Sequence, residues 1–483
     1  MYDIVIIGAG VTGCAVAYRL GQYAGRVAVI DQAHDVSAGA SKANSGIVHA
    51  GYDAKAGTQK ARLNVKGALM MEEYCRPLGV PYVRSGAMVL GFHEEDRATL
   101  EALYHNGLAN GVKGCRLIGR EEVLSMEPRL NPQVLLALDV PASALVSPYE
   151  LTLALADSAA ENGVQFLLGT RVTQLAYQQG AWQLTTPGGV LTARAVINCA
   201  GGDAGRLHNQ ISTRQVHIIA RRGQYYLLDH NKPALFTRTI FQAPTKMGKG
   251  VLVTPTTHGN LLLGPTAEDI DDGVDTITTR DGLKNVLEKA RLTFPGVSLR
   301  RVITTFSGNR AHEAGGDFII GAVEGAPEGA FEAIGIESPG LSAAPAIGDE
   351  LGDLAALFLN LPKKADYIAP TPLPKAFSAM DEDERRAAYQ KDPDYGRIVC
   401  RCEQVTEAEV RRAIRRPVGA TSLDGVKFRT RAGMGRCQSG FCSTRVMEIL
   451  AEELGCELPG ITKSGGKSWM LSGGIGKADQ NAR

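Results

Sequence analysis

Two groups of residues in this chain have the types and spacing to do chemistry. Gly8, Gly10 and Gly13 read G-x-G-x-x-G within YDIVIIGAGVTGCAVAYRL, and Asp31 closes the apolar run that follows. Gly8 permits a tight turn, Gly10 lets backbone approach a pyrophosphate, and Gly13 lets a helix pack closely on a strand. The first turn of that helix offers its unpaired N–H groups to phosphates. Asp31 is placed to accept hydrogen bonds from an adenosine ribose and argues against a 2′-phosphate, which leaves FAD or NAD rather than NADP. Far down the chain, Cys400-x-Cys402 and Cys437-x4-Cys442 flank the helical stretch TEAEVRRAIRR, and VMEILAEEL follows the last cysteine. Four thiolates gathered by short helices can bind a [2Fe–2S] cluster. Zinc is the competing metal, although its sites favour C-x2-4-C pairs, and a structural module without metal is the third reading. Cys14 in the first helix and Cys199 in an apolar strand read as small core residues.

The elements that must hold these groups are legible in outline. A chain of 483 residues exceeds one ordinary core and suggests two or three domains. Residues 2–33 read as strand, glycine turn, helix and strand, one βαβ unit whose run Ile4–Ile7 suits a strand buried on both faces. Alternating segments such as Gly86–Phe92, Arg222–Leu228 and Gly250–Thr254 suggest a second, antiparallel sheet. Glycine-rich strand and helix character returns near 145–210 and 302–360, so the nucleotide domain is expected to be discontinuous: 1–82, 144–215 and 302–360, with 83–143 and 216–301 forming a substrate domain. Residues 361–396, with several prolines and the charged DEDERRAAYQK, read as a surface linker. A cysteine-bearing unit follows at 397–455, then a glycine- and serine-rich tail at 456–483 whose last residues are expected to be mobile.

Composition excludes some partners. Lys and Arg total 52 against 51 Asp and Glu, so no basic surplus draws the chain to nucleic acid. The longest apolar runs are strand-length, well short of the ~20 residues of a membrane span. Met1 leads straight into a strand without a charged n-region, so a cytoplasmic location is expected. In such a reducing setting the grouped cysteines suggest metal or cluster ligation rather than disulfides.

Three further segments carry a resemblance. SKANSGIVHAGYDA (41–54), VINCAGGDAG (196–205) and GIESPGLSAAPAIG (335–348) resemble the D-amino-acid-oxidase-like superfamily of FAD oxidoreductases, over nearly the whole first 360 residues. The resemblance implies an α/β Rossmann-like FAD-binding domain with an antiparallel β-sheet substrate domain (α+β). It implies flavin contacts from Ser41, Asn44, Ser45, Gly46, Val172, Ala200, Gly201, Gly340, Leu341 and Ser342. A helix N-terminus after Gly340 would suit the negative charge of a reduced flavin near N1 and O2. Within the superfamily, NSGIVHAGYD, RRGQYYLLD, GKGVLVTPTTHGNLLLGPT and FSGNRAHEAGGDFIIG resemble the glycerol-3-phosphate dehydrogenase/oxidase group, with L-2-hydroxyglutarate dehydrogenases as near relatives.

Oxidising a secondary alcohol at a flavin needs a base for the hydroxyl proton and a cation for the substrate's anionic end. His49 is the candidate base, because imidazole titrates near working pH and its loop should lie against the ring; the alternative is a histidine that only hydrogen-bonds FAD. Arg310 is the candidate anion clamp; the alternative is an ion pair with Glu313 or Asp317. Lys249 or Lys246 would add a second positive contact, and Ser338 a hydrogen bond to substrate or flavin. CRCEQVTEAEV and RAGMGRCQSGFC resemble the bacterioferritin-associated-ferredoxin-like [2Fe–2S] domain, implying that Cys400, Cys402, Cys437 and Cys442 hold a cluster in a small helical C-terminal domain. Flavin and cluster together imply a dehydrogenase delivering electrons to a redox partner protein or subunit. An L-2-hydroxy acid dehydrogenase and a non-catalytic flavin electron-transfer subunit are the alternatives.

Overall fold

The computed structural model describes residues 1–231, 233–244 and 250–472. Tyr2–Ile7 and Val27–Ile30 pair in parallel and are joined through the helix Val11–Leu20. Both strands are buried on both faces over Ile4–Ile7 and Val27–Ile30, which is why they read as unbroken apolar runs rather than alternations. Gln165–Leu167 extends the parallel sheet on one side, and Gly189–Asn198 then Ala330–Ile334 extend it on the other. A hairpin, Gln174–Gln178 with Ala181–Thr186, and the strand Ile319–Ala322 complete an eight-stranded sheet. The helices Val11–Leu20, Pro148–Glu161 and Gly340–Phe358 pack together over one face and share the largest apolar core.

A nine-stranded sheet lies beside it. Its pairings are antiparallel except one: Thr239–Gln242 runs parallel to Ala87–Gly91. Expected as purely antiparallel, this sheet is mixed because two separate stretches of chain each supply part of it, and the seam between them is not set by a hairpin turn. The strand Val302–Glu313 also departs from expectation. It was grouped with the nucleotide domain, but it pairs along its length with Ile218–Leu228 in the second sheet. Its backbone donors and acceptors find partners there, and the chain rejoins the first sheet only at Ile319.

The C-terminal unit is a short hairpin, Ile398–Cys400 with Val405–Thr406, and three helices, Glu407–Ile414, Leu423–Thr430 and Ser443–Leu454. Thr406 and Glu409 form a reciprocal capping box at the first of these helices, satisfying donors that a helix start leaves open. The unit has a core of its own around Val410, Val426, Ile449 and Leu450. It extends past 455: Ile461 is buried in that core, and Thr462 bridges to Trp469. The segment before it is exposed and holds one capped helix, Glu382–Lys391. Buried ion pairs fasten the unit to the body. Arg429 grips Asp35 with two nitrogens at 2.6 and 2.7 Å, and Arg416 pairs with Asp157. Among the described residues no helix is long and apolar enough to cross a membrane.

Candidate active site and cluster site

A cavity of about 1660 Å³ opens at the carboxyl ends of the parallel strands, roofed by the second sheet. Crevices at that end of an open α/β sheet are where such folds bind ligands, and the volume exceeds the roughly 300–1,000 Å³ of a pocket for one small molecule. A dinucleotide and a substrate together fit it. Gly8, Gly10, Asp31, Ser41, Asn44, Ser45, Val172, Ala200, Gly201, Gly340 and Leu341 line this space, as do His49, Arg310 and Ser338.

The glycine turn is as tight as its spacing implies. Gly8 has φ +110°, and a Cβ there would lie 2.3 Å from the Cys199 carbonyl oxygen; a Cβ on Gly13 would lie 1.9 Å from the Gly8 carbonyl oxygen. Strand, turn and helix therefore sit too close for any other residue at either place. Asp31 accepts hydrogen bonds from the Ala9 and Ala33 backbone N–H groups at 2.7 and 2.8 Å. Burial raises its pKa above the ordinary carboxylate value, and these two N–H groups oppose that rise. Ser41 Oγ accepts from the Val11 N–H at 2.9 Å, tying the second loop to the helix start. Asn44 organises the same loop, donating to the Ala40 and Ser41 carbonyls and accepting from the Gly46 N–H.

Three expected contact residues stand behind the cavity wall. Gly13 serves helix packing. Gly46, at φ +67°, turns the chain against the Val146 carbonyl. Ser342 is fully buried; its hydroxyl accepts from the His49 N–H at 2.8 Å and donates to the Ile47 carbonyl at 3.3 Å. It thereby pins the His49 loop onto the long helix that starts at Gly340.

His49 is buried, with its ring tilted against Phe241 at 5.8 Å between centroids. Arg310 donates to the Thr266 carbonyl at 2.8 Å and, more weakly, to the Arg221 carbonyl at 3.4 Å. Neither Glu313 nor Asp317 neutralises it: Glu313 accepts from the Gly315 N–H, and Asp317 accepts from the N–H groups of Gln59, Lys60 and Phe318. Lys249 and Lys246 fall outside the described residues.

One polar group at the cavity escaped sequence reasoning. Lys60 Nζ and His312 Nδ1 both meet Glu337 Oε1, at 2.9 and 3.0 Å, and Lys60 and Glu337 line the space. Burial raises the Glu337 pKa, but Lys60 and then His312 outweigh it and hold the carboxyl below its ordinary value. Glu337 lies inside GIESPG and His312 inside NRAHEAGG, so both were in view without a spacing to link them. Lys60 belongs to no motif and is brought in by the helix Gln59–Leu78.

The four grouped thiols form two pairs. Cys402 Sγ lies 3.5 Å from Cys437 Sγ, near the surface. Cys400 and Cys442 are buried. Their interaction, with the Gly433 and Glu403 N–H groups, pulls the Cys400 thiol down to about 6 against the cost of burial, and it pushes Cys442 up. A thiolate is the metal-binding form. Two pairs suit two irons, each taking two thiolates.

A line of contacts runs from the cavity to these thiols. Lys42, on the cavity wall, places its ammonium over the Phe428 ring at 5.3 Å. Phe428 packs on Tyr149, 5.4 Å between centroids. Tyr149 Oη accepts from Arg431 at 3.2 Å, and Arg431 pairs at 2.8 Å with Glu403, the neighbour of Cys402.

Comparison with known proteins matches this geometry. Residues 3–354 match the profile described as FAD dependent oxidoreductase, and residues 398–452 match the BFD-like [2Fe-2S] binding domain. The chain is 45% identical over 475 residues to a glycerol 3-phosphate dehydrogenase of Caloramator mitchellensis, covering 98% of both chains. It is 32% identical to a glycerol 3-phosphate oxidase of Mycoplasma pneumoniae, over 77% of this chain and 98% of that one. The solved structure of the L-alpha-glycerophosphate oxidase from Mycoplasma pneumoniae with FAD bound superposes with a TM-score of 0.72 at 31% identity, covering 77% of this chain and 99% of that one.

Proposed function

The chain belongs to the FAD dependent oxidoreductase family, as a glycerol-3-phosphate dehydrogenase-like member with a C-terminal [2Fe–2S] domain, and from that premise we propose that it oxidises sn-glycerol 3-phosphate to dihydroxyacetone phosphate and passes the electrons through the cluster to a protein acceptor. FAD supplies the hydride acceptor when bound. The cradle assigned to it is Gly8, Gly10 and Gly13 with Asp31, the loop Ser41–Gly46, Val172, Ala200, Gly201 and the helix start Gly340–Ser342. Gly13, Gly46 and Ser342 act by shaping that cradle from behind.

His49 takes the hydroxyl proton. It is buried, its backbone N–H held by Ser342 and its ring set against Phe241. Arg310 grips the phosphate; its guanidinium hydrogen-bonds two backbone carbonyls and lies within electrostatic reach of Asp269, whose own ion pair is with Arg221. Lys249 and Ser338 are assigned supporting contacts to the same substrate. The observation that carries the reading is this pairing of an imidazole and a guanidinium in one cavity beside the glycine turn.

Cys400, Cys402, Cys437 and Cys442 are assigned to the cluster. The Mycoplasma oxidase is spanned almost end to end by about three quarters of this chain, and the cysteine unit lies beyond the 3–354 match to the FAD dependent oxidoreductase profile. A carrier that accepts electrons singly favours a dehydrogenase over peroxide formation. The same reading places the protein in the cytoplasm, where its nine free cysteines stay reduced.

An anaerobic visible spectrum before and after adding glycerol 3-phosphate tests it. Flavin bands over a broad red shoulder, bleaching on addition, are expected. His49→Ala should keep FAD and lose the bleaching, and Cys402→Ser should lose the shoulder. Flavin that stays oxidised with glycerol 3-phosphate and bleaches with L-2-hydroxyglutarate would transfer the reading to hydroxy acids; bleaching with neither would leave a flavin relay.

A further inference from the structure

We propose that the cysteine unit completes the flavin site. Its helix Leu423–Thr430 and the turn at Gly465 and Gly466 brace, from behind, the two loops that present Asp31 and Ser41 to the cavity, so binding FAD and seating the unit are one coupled equilibrium. This rests on the assignment of those two loops to FAD.

The first loop follows the strand Val27–Ile30. Asp31, Gln32 and Ala33 line the cavity, and the next two residues are held by the unit. The His34 ring lies between two glycine turns. A Cβ on Gly169 would come 2.8 Å from its Nδ1, and one on Gly465 would come 2.2 Å from the His34 Cβ. Gly465 and Gly466 stand at φ +88° and +56°, where glycine is at no disadvantage, so the backbone of this turn meets the histidine directly. The turn is itself fixed. The Gly465 N–H donates to Thr462 Oγ1 at 3.0 Å, and its carbonyl accepts from Ser468 Oγ at 2.7 Å. Lys463 pairs at 3.0 Å with Asp424, in the first turn of the helix Leu423–Thr430. Asp35 then takes two nitrogens of Arg429 from that same helix.

The second loop is backed by the residue next to Arg429. Ser41 Oγ accepts from the Val11 N–H, and Lys42 lines the cavity beside it. The Lys42 ammonium stands over the Phe428 ring. Burial lowers the Lys42 pKa, and Asp424 of the helix opposes that fall, so the unit helps to keep a cation on the cavity wall. One helix therefore reaches two loops that enter the site separately. A loop held in its binding conformation spares the ligand the cost of ordering it. When the unit lifts, His34, Asp35 and Lys42 lose these partners together, and FAD binds the seated state more tightly. Linkage then requires FAD to favour seating by the same factor.

The full chain, stripped of FAD and titrated back, provides the test. Flavin fluorescence reads the dissociation constant, and hydrogen exchange reads the loops and the unit. In the wild type, FAD should protect the amides of 423–430 and 462–470 as well as those of 31–46. Gly465→Val, which drives a side chain into His34, and Phe428→Ala should each raise the dissociation constant by about 5- to 150-fold, the span of a typical coupling between two sites. Phe428→Tyr should keep the wild-type value. With FAD saturating, substrate should bleach the flavin at the wild-type rate in all three. Protection confined to 31–46, or wild-type affinity in both Gly465→Val and Phe428→Ala, would overturn the coupling. FAD that binds without protecting 31–46 would instead overturn the assignment of those loops, and the coupling with it.

Discussion

Replacing Asp35 with Ala would leave a charge stranded between the body and the cysteine unit. The Arg429 side chain is 0% exposed, and Asp35 is its anion. Removing one member of a buried pair costs about 3–5 kcal/mol, chiefly because the survivor is uncompensated. The lower end applies here. Asp35 is itself 21% exposed, so water reaches the vacated position, and Arg429 keeps the carbonyls of Val418 and Gly425 at 2.8 and 3.0 Å. A loss of about 3 kcal/mol weakens docking by roughly 150-fold. For a unit of roughly 75 residues, each kcal/mol shifts the midpoint by about 4–8 °C, so the first thermal transition should fall by about 12–24 °C. Asp35→Leu with Arg429→Met should recover most of the loss, since an apolar pair of similar volume is neutral or stabilising. Thermal unfolding followed by visible circular dichroism of the cluster reads the transition, with FAD content and substrate bleaching as controls. A single-variant loss below about 1 kcal/mol, or a double variant no better than the single, would refute this account of the interface.

Three other outcomes are expected. Gly8→Ala must close a 2.3 Å contact with the Cys199 carbonyl at φ +110°, so the variant should purify without FAD; a full yellow spectrum would count against the cradle. Arg310→Ala should lower kcat/KM for glycerol 3-phosphate by about 10- to 150-fold, the worth of a charged hydrogen bond, and Arg310→Lys should recover part of it; unchanged kinetics would remove Arg310 from the substrate. Glu337 has a depressed folded pKa against an ordinary value of 4.5, so its contribution to stability is present above 4.5 and lost as pH falls through the depressed value. The midpoint difference between wild type and Glu337→Gln should therefore be largest near neutrality and shrink in acid, and a difference that grows in acid would contradict the assigned sign.

Much of this protein was readable along the chain because the physics is local. A glycine turn between an apolar strand and a helix is forced by steric limits within a few residues, so Gly8, Gly10, Gly13 and Asp31 are visible in one line of sequence. The cysteine spacing and the capping box at Thr406 and Glu409 are local in the same sense. The parallel strands reveal themselves by burial on both faces, which removes polar residues from the run.

Tertiary structure alone decided what depends on distant partners. Val302–Glu313 could pair with either sheet by its own composition, and only the free edge of Ile218–Leu228 settles its place. Ser342 lines no ligand by itself; it holds His49, 293 residues away, through one hydrogen bond. Lys60, His312 and Glu337 belong to three separate elements and become one charged group only when the two sheets close over the cavity. Arg310 reads along the chain as a clamp or as an ion pair with Glu313 or Asp317, and only the fold shows that its hydrogen bonds go to the Thr266 and Arg221 carbonyls. Local sterics and periodicity act over a few residues and are written in order; charge pairing and strand choice act through space, where sequence distance carries no information.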